Sequence, residues 1–260
     1  MKLSWYGTAS VMLESEGYRI VFDPFLTIPI EESLYRRKLH AIKYRTADAV
    51  LVTHGHFDHI IDIPKLYRNT ETKVYATKTP CKTLMSRGDV ERDQLRVIGP
   101  GVTFRLGSFT IRAYQGRHCR FDLGIMLKTV FKWETLLNPK RLYELIKLNR
   151  LYAENGETLF YEIEAEGKRI QLLGSMGLDI DTAYPTGADV LILPFQGTSD
   201  PARTVVPIIN KLQPKRIYLD HYDNTFPPMT RHIDTVEFTA KLLRSGIPAA
   251  ALKRGKVYEI

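Results

Sequence analysis

Short apolar runs alternate with polar turn residues along most of the chain, and this spacing predicts many strands. Residues 3–5, 10–14 and 18–22 are separated by tight turn signals and indicate an antiparallel meander. Later runs are interleaved with helical patterns in a β-α rhythm, which is typical of a mixed α/β sheet. The first of these later strands is predicted to begin at Val50. The others are predicted at 73–76, 95–98, 102–104, 109–114, 159–163, 168–173, 189–194, 216–219 and 256–258.

Helix signals separate these strands. A capping residue followed by proline marks two helix starts, Thr79 with Pro80 and Asn138 with Pro139. Proline is disfavoured in a helix interior, so Pro207 indicates that its helix begins near Thr204 rather than at Asp200. The predicted helices cover 61–67, 79 to 86–88, 138 to 155–156, about 204–212 and 231–245.

The strongest chemical signal lies in residues 50–64. His54, His56, Asp58 and His59 fall within six residues, directly after an apolar, β-branched run that predicts a buried strand. Gly55 allows a tight turn between the first two histidines. Imidazole and carboxylate groups are ligands for zinc and similar divalent metals. The first two histidines can converge on one cation, and the aspartate and last histidine can hold a second.

This H-x-H-x-D-H order resembles the metal loop of the metallo-β-lactamase superfamily. Within it, the chain looks similar to the compact branch of metal-dependent hydrolases that includes ascorbate-6-phosphate lactonase-like proteins. The resemblance implies an α/β fold in the form of a four-layer αββα sandwich. We expect a single domain over residues 1–260, because no linker, repeat or low-complexity segment interrupts the chain.

The resemblance also implies site residues outside the loop. His118 would complete the first metal site with the two leading loop histidines. His221 would complete the second with Asp58 and His59. Asp23 would brace the metal loop by hydrogen bonds, although an aspartate before a proline is equally typical of a simple turn.

Ser175 departs from the superfamily pattern, because it stands where an aspartate usually bridges both metals. A neutral hydroxyl offsets the repulsion between two cations far less than a carboxylate does. Three outcomes follow: one metal, two metals bridged by hydroxide alone, or a contribution from Asp179 or Asp181. Those two aspartates are also typical turn and cap residues, which is the stronger interpretation.

The composition places the chain among ordinary globular proteins, with 44% hydrophobic and 25% charged residues over 260 positions. No apolar run approaches the ~20 residues of a spanning helix, and the start shows no signal peptide, so we expect a cytoplasmic protein. Cys81 and Cys119 are expected as reduced thiols. The net charge of +8 favours anionic partners: small phosphorylated or carboxylated molecules, nucleic acid or a membrane surface.

Two further segments bear on substrate access. Residues 27–46 form a basic, aromatic loop or short helix that would overhang the site, with His40 at the surface. Arg117 and Arg120 flank the expected ligand His118 and face either an anion or solvent.

Residues 128–156 are a helical insertion relative to a minimal version of the fold. Its apolar face indicates a lid or a homo-oligomer contact, with a membrane-surface helix or a packed helix as alternatives.

The leading functional hypothesis is a metal-dependent hydrolase that acts on an ester, lactone or phosphoester of a small, anionic substrate. One or two divalent metals are expected, zinc first, with manganese or iron as alternatives. Asp58 would orient or deprotonate the attacking water as well as bind metal. The rival hypotheses are a phosphodiesterase that processes nucleic acid, disfavoured by the lack of a stacking stretch, and a metal-binding protein that has lost catalysis.

Overall fold

The structure is a computed structural model that describes residues 1–27, 34–87, 90–119 and 122–260. Within these ranges the strands form two sheets of seven strands each. No helix in the described part of the chain is long and apolar enough to cross a bilayer. Residues 28–33, in the basic segment expected above the site, and Arg120 lie outside the described ranges.

The first sheet holds the metal loop, and its strand order is β14-β1-β2-β3-β4-β5-β6. Neighbouring strands pair antiparallel from β14 to β3, and parallel from β3 to β6. The strands are β1 Lys2–Gly7, β2 Ser10–Ser15, β3 Tyr18–Phe22, β4 Ala49–Leu51, β5 Lys73–Ala76, β6 Leu95–Val97 and β14 Val257–Glu259.

The second sheet has the order β13-β12-β11-β10-β9-β8-β7. It is antiparallel from β7 to β10, and parallel from β10 to β13. The strands are β7 Thr103–Leu106, β8 Phe109–Gln115, β9 Leu159–Ala165, β10 Lys168–Leu173, β11 Val190–Pro194, β12 Ile217–Asp220 and β13 Ala249–Ala251.

Helices connect these strands and cover the outer faces. They are α1 Leu34–Tyr44, α2 Phe57–Ile60, α3 Ile63–Tyr67, α4 Lys78–Ser86, α5 Leu123–Val130, α6 Trp133–Leu136, α7 Pro139–Leu151, α8 Pro201–Leu212 and α9 Val236–Arg244, with a 3₁₀ turn at Arg92–Gln94.

Two apolar cores produce the layered architecture. Alternate residues of one strand point to opposite faces, so Ile20 and Phe22 join the core between the sheets while Val21 joins a second core beneath the helices of the first sheet. The inter-sheet core continues through the second sheet to Val205 on α8 and Phe238 on α9. Helix, sheet, sheet and helix therefore stack in four layers, which confirms the expected αββα sandwich.

Several predicted boundaries were wrong. Helix α8 begins at Pro201, not near Thr204, because the Asp200 side chain caps it and four apolar side chains bury its inner face in spite of Pro207. Helix α9 begins at Val236, five residues later than predicted. Helix α4 begins at Lys78 with Thr77 as its N-cap, whereas Thr79 was predicted as the cap and Pro80 as the first helical residue.

Other local features also differed from expectation. His40 is buried rather than at the surface, because α1 places its ring 5.0 Å from the ring of Tyr6. Helix α7 ends at Leu151 rather than at 155–156, since the following Tyr152 turns into the second core. Strand β13 was not predicted, because its three alanines carry no alternation and only parallel pairing with β12 defines it.

Candidate metal centre

The metal loop leaves the carboxyl end of β4 and runs into the short helix α2. His54 and His56 lie in the loop, whereas Asp58 and His59 lie in the first turn of α2. The second sheet fixes the loop from below: the Tyr161 hydroxyl donates to the Val52 carbonyl at 2.7 Å, and the Leu159 amide donates to the Thr53 carbonyl at 2.8 Å. Both sheets therefore position the loop.

The structure brings the three histidines of the expected first site together. One potential ligand atom each from His54, His56 and His118 lies within 4.8 Å of the other two. His54 is fully buried, and the other two are partly buried. His118 reaches this position from the loop after β8, more than sixty residues along the chain.

The second expected group is equally compact. Ligand atoms of Asp58, His59 and His221 all lie within 4.8 Å of one another. His221 directly follows β12 and adopts a φ of 47°, a left-handed conformation that is uncommon for histidine. Its backbone amide donates to the Thr8 carbonyl at 2.9 Å, which holds this turn against the first sheet.

Hydrogen bonds to Nδ1 leave Nε2 of both His118 and His54 available as an electron-pair donor to metal. His118 Nδ1 lies 2.8 Å from the Cys119 carbonyl, which can only accept, so Nε2 carries the free lone pair. Thr53 gives its hydroxyl proton to Asp23, so its oxygen accepts from His54 Nδ1 at 3.0 Å. The free His54 Nε2 then lies 3.1 Å from His56 Nδ1, which places the two nitrogen atoms close enough to share one cation.

Burial keeps these imidazoles neutral, as metal ligands must be. It lowers the pKa of His54 well below its usual value and the pKa of His56 to about 4. Burial also lowers the pKa of His118. The donor set and its protonation therefore fit a divalent metal of the zinc type.

In the second group, the interaction between histidine and carboxylate outweighs the effect of burial on the pKa values. Burial alone would lower the pKa of His221, but the hydrogen bond and charge of Asp58, 3.3 Å from Nε2, raise it to about 9. Burial likewise tends to raise the pKa of Asp58, yet the neighbouring His59 and His221 hold it below the usual range. Asp58 is therefore a carboxylate at neutral pH. Among the described residues, Nδ1 of His221 is buried without a hydrogen-bond partner.

Asp23 lies beneath the loop and contacts three of its groups. One carboxylate oxygen accepts from the Thr53 amide at 2.8 Å, and the other accepts from the Thr53 hydroxyl at 2.6 Å. The second oxygen also lies 2.8 Å from His59 Nδ1, which directs Nε2 of that ring into the second group. Asp23 thus contacts Thr53 and His59 at once, and hydrogen bonds of this kind fix the orientation of ligand side chains.

Ser175 lies in the loop after β10, and its hydroxyl oxygen is already engaged in a hydrogen bond to the loop after β8. Its hydroxyl oxygen accepts from the Cys119 amide at 3.1 Å, next to the carbonyl that orients His118. Asp179 accepts from the Asp181 amide and the Thr182 hydroxyl, and Asp181 is exposed. Neither aspartate belongs to either ligand group in the described residues.

Sequence reasoning missed two positioning residues. Thr53 links Asp23 to His54, and Asp62 accepts from the Leu26 amide at 2.5 Å and the Thr27 amide at 2.8 Å. The only sequence signal for a role of these two residues was the position of each in the stretch that holds the metal loop.

Arg117, which was expected to clamp an anion or face solvent, is exposed.

Residues after α7 touch the metal loop closely. A Cβ atom at Gly55 would lie 2.5 Å from the Ala153 carbonyl oxygen, so only glycine allows this approach. The loop is thus held between the β9 edge and the segment of the helical insertion that follows α7.

Both ligand groups open into one cavity of about 1470 Å³. Helices α5 and α7, with Phe131 and Lys132 after α5, line one side, and the loop after β11 with α8 and α9 lines the other. Apolar side chains on the wall include Phe57, Phe195 and Phe226. Outside the ligand groups, the charged lining residues are Lys132, Arg203, Arg231 and Lys241, with Asp200, Asp234 and Glu237 of opposite sign. The potential metal ligands therefore line a large, mostly apolar pocket whose wall carries both basic and acidic side chains.

A family model of the beta-lactamase superfamily domain matches residues 2–219. The chain belongs to the metallo-β-lactamase superfamily. It is 27% identical over 260 residues to a UPF0173 metal-dependent hydrolase of Carboxydothermus hydrogenoformans, covering 99% of each chain. A UPF0173 metal-dependent hydrolase of Thermus thermophilus is 26% identical over 268 residues, covering 100% of this chain and 99% of the relative.

Solved structures agree with this assignment. Igni18, a metallo hydrolase from Ignicoccus hospitalis, superposes with a TM-score of 0.65 at 20% identity, covering 100% of this chain and 98% of that one. The metallo-beta-lactamase fold protein YhfI from Bacillus subtilis gives 0.61 at 14% identity, with 100% and 98% covered. At these identities the likeness shows the fold. The family match and the relatives together support the expected enzyme class, a metal-dependent hydrolase of this superfamily.

Proposed function

We propose that the chain hydrolyses its substrate with divalent metal held by His54, His56 and His118, and by Asp58, His59 and His221. The observation that carries this proposal is the pair of three-residue ligand groups at the base of one cavity, each within 4.8 Å. Neutral imidazoles in the first group and the Asp58 carboxylate in the second support it.

A bound divalent metal supplies Lewis acidity and makes water a competent nucleophile at neutral pH. Asp58 has the properties of the base that orients this water. It faces the cavity, its side chain is 13% exposed, and the neighbouring His59 and His221 keep it ionised. A carboxylate in this position accepts a hydrogen bond from water and takes up its proton as attack proceeds.

The proposed substrate carries an ester, lactone or phosphoester bond beside a carboxylate or phosphate group. Support comes from the four basic side chains on the cavity wall, which outnumber the three acidic ones outside the ligand groups. Among the basic side chains, Lys132 is partly buried and donates to the Pro228 carbonyl at 2.9 Å. The net charge of +8 acts in the same direction by attracting anions. The resemblance to ascorbate-6-phosphate lactonase-like proteins agrees with such a substrate.

Zinc is the proposed metal, because three histidines form a common zinc ligand set, and manganese or iron suits the mixed carboxylate group as well. The first group, with three neutral donors, is expected to retain metal more tightly. Among the described residues the second group has no bridging carboxylate, because Ser175 stands where the resemblance implies an aspartate.

A hydrolysis screen with a metal control tests the proposal. Purified protein is assayed on phosphoesters, carboxylic esters and lactones with anionic groups, before and after chelation and after return of zinc. We expect turnover that disappears with chelation and falls at least a hundredfold in Asp58→Asn. Asp93→Asn, whose side chain is 72% exposed, is the control and should retain full activity.

The second candidate, a metal-binding protein without catalysis, has Ser175 in its favour. It predicts tight metal binding with no turnover on any compound of the screen. In that case Ser175→Asp would be expected to add metal without adding activity, whereas the hydrolase proposal requires activity in the wild-type chain.

A further inference from the structure

An unusual amount of apolar surface is exposed on helices α5 to α7. The described residues between 123 and 151 contribute nine large apolar side chains that are at least 44% exposed. Phe131 and Trp133 are each 70% exposed, and Leu123 is 74% exposed. The nine, which we call the α5–α7 surface, are Leu123, Leu127, Phe131, Trp133, Leu136, Leu137, Tyr143, Ile146 and Leu151.

The same segment is strongly basic. Residues 123–151 contain six lysines or arginines and two glutamates, a balance of +4 within 29 positions. Lys140, Lys147 and Arg150 are exposed, and no ion pair involves them among the described residues. Apolar and cationic groups are thus combined on one exterior surface.

Helix α7 shows how the two kinds of residue are arranged. Leu142, Leu145 and Leu148 pack against the second core and form its inner face. Residues 140, 143, 147 and 150 follow the spacing of a single helix face, and all four are exposed. The outer face of α7 therefore carries Lys140, Tyr143, Lys147 and Arg150, with Leu151 next to them.

We propose that the α5–α7 surface binds an anionic lipid bilayer, lying in its interface without crossing it. Leucine, phenylalanine and tryptophan side chains enter the boundary between headgroups and acyl chains, while lysine and arginine pair with anionic headgroups. The charge is complementary to such a membrane.

Other occupants fit this surface less well. A symmetric contact with a second copy would set the same patch against itself and oppose +4 with +4. Nucleic acid would satisfy the charge, but the exposed leucines Leu123, Leu127, Leu136 and Leu137 have no counterpart on bases or phosphates. Hydrocarbon accommodates both the aliphatic and the aromatic side chains.

The location of this surface connects it to the cavity. Phe131 and Ile146 belong to the α5–α7 surface and also line the cavity, together with the neighbouring Ile125 and Leu145. A bilayer bound here would lie beside the cavity opening on that side. The inference about membrane binding is independent of the metal chemistry, because none of these residues belongs to a ligand group.

Vesicle flotation tests the proposal with the full chain. Vesicles of phosphatidylcholine alone are compared with vesicles containing an equal part of phosphatidylglycerol, at low and high salt. We expect flotation with the anionic vesicles, weakened by salt. The double variant Phe131→Ser and Trp133→Ser should have an affinity for anionic vesicles at least about tenfold lower. The control is Val236→Ser with Leu243→Ser, two residues of α9 that are 71% and 63% exposed, and it should bind with the wild-type affinity.

Charge is tested separately. Lys140→Gln, Lys147→Gln and Arg150→Gln combined should weaken binding to anionic vesicles, while the charge-matched set Arg105→Gln, Lys168→Gln and Lys253→Gln should not. All six of these side chains are exposed. Thermal unfolding confirms that each variant is folded, since surface substitutions change stability little.

Tryptophan emission provides a direct readout of insertion. The chain has two tryptophans, of which Trp5 is 2% exposed and Trp133 is 70% exposed. Anionic vesicles should shift the emission of Trp133 to shorter wavelength, and Trp133→Phe should abolish the shift while the protein still floats.

Three results would overturn the proposal: no flotation with anionic vesicles, flotation unaffected by the Phe131 and Trp133 double variant, or an unshifted emission in the bound state. A wild-type dimer that dissociates in that double variant, without vesicle binding, would assign the surface to a second copy. Binding to an oligonucleotide but not to vesicles would assign it to nucleic acid.

Discussion

Nδ1 of His59 lies 2.8 Å from a carboxylate oxygen of Asp23, and both side chains are almost fully buried. The same carboxylate accepts two hydrogen bonds from Thr53, whose hydroxyl oxygen in turn accepts from His54. One buried aspartate therefore sets the ring orientation of a histidine in each ligand group, directly in one and through a threonine in the other.

Replacing Asp23 by asparagine should weaken metal binding about 10- to 100-fold, because the neutral amide cannot accept all three contacts. Asp23 has a φ of 45°, and asparagine tolerates this conformation, so the backbone should be preserved. Competition with a chromophoric chelator measures the affinity. Asp93→Asn is the control, and equal affinities in the two variants would remove Asp23 from the account.

Ser175 can be changed in two informative ways. Ser175→Ala leaves the buried Cys119 amide without its acceptor and should lower the free energy of unfolding by about 1–3 kcal/mol. Chemical denaturation measures this loss, and an unchanged midpoint would show that the hydrogen bond contributes nothing.

Ser175→Asp should raise the occupancy of the second ligand group, because a carboxylate between two cations offsets their repulsion. Metal analysis after reconstitution with zinc measures the change, and Ser175→Asn serves as the uncharged variant of equal size. Two metals in both proteins would show that the second group already binds metal without a bridging carboxylate, and one metal in both would contradict the expected gain.

Gly55→Ala should disturb the metal loop. The added Cβ would lie 2.5 Å from the Ala153 carbonyl oxygen, so the loop or the chain after α7 must move. We expect a loss of about 1–3 kcal/mol in stability together with weaker metal retention. Gly99→Ala, where nothing lies within 4 Å, should leave both unchanged; similar behaviour of the two variants would contradict the close packing.

Two tyrosines of the helical insertion should respond very differently to truncation. Tyr152 is 2% exposed within the second core, whereas Tyr143 is 70% exposed on α7. Tyr152→Ala should cost about 3 kcal/mol or more, and Tyr143→Ala less than about 0.5 kcal/mol, by thermal or chemical unfolding. A similar small effect at both positions would mean that this region is a detachable lid.

Much of the fold was accessible from the sequence because local patterns determined it. Strands β3 and β5 agree with their predicted ranges, since alternation and turn residues define both ends. Helix α8 and strand β13 were not predicted correctly, because burial of the inner face overrides Pro207 in one, and pairing with β12 defines the other. His40 was placed at the surface because its packing on Tyr6 has no sequence signal.

The site shows the same division. The loop ligands His54, His56, Asp58 and His59 are visible in a single stretch, and local chemistry is enough to select them. His118 and His221 lie far away in sequence, so only the resemblance to the superfamily pointed to them. The Thr53 relay depends on a hydroxyl held between Asp23 and His54, and such a three-body contact needs coordinates.

The most direct test of the account is the metal content of the protein purified without added metal and after reconstitution with zinc. We compare the wild type with His56→Ala, His221→Ala and His232→Ala; the last is an exposed histidine outside both groups. We expect at least one equivalent of divalent metal in the wild type and in His232→Ala. We expect loss of the first metal in His56→Ala and its retention in His221→Ala. A wild type that holds no metal after reconstitution, or a His56→Ala variant with full metal content, would contradict this expectation.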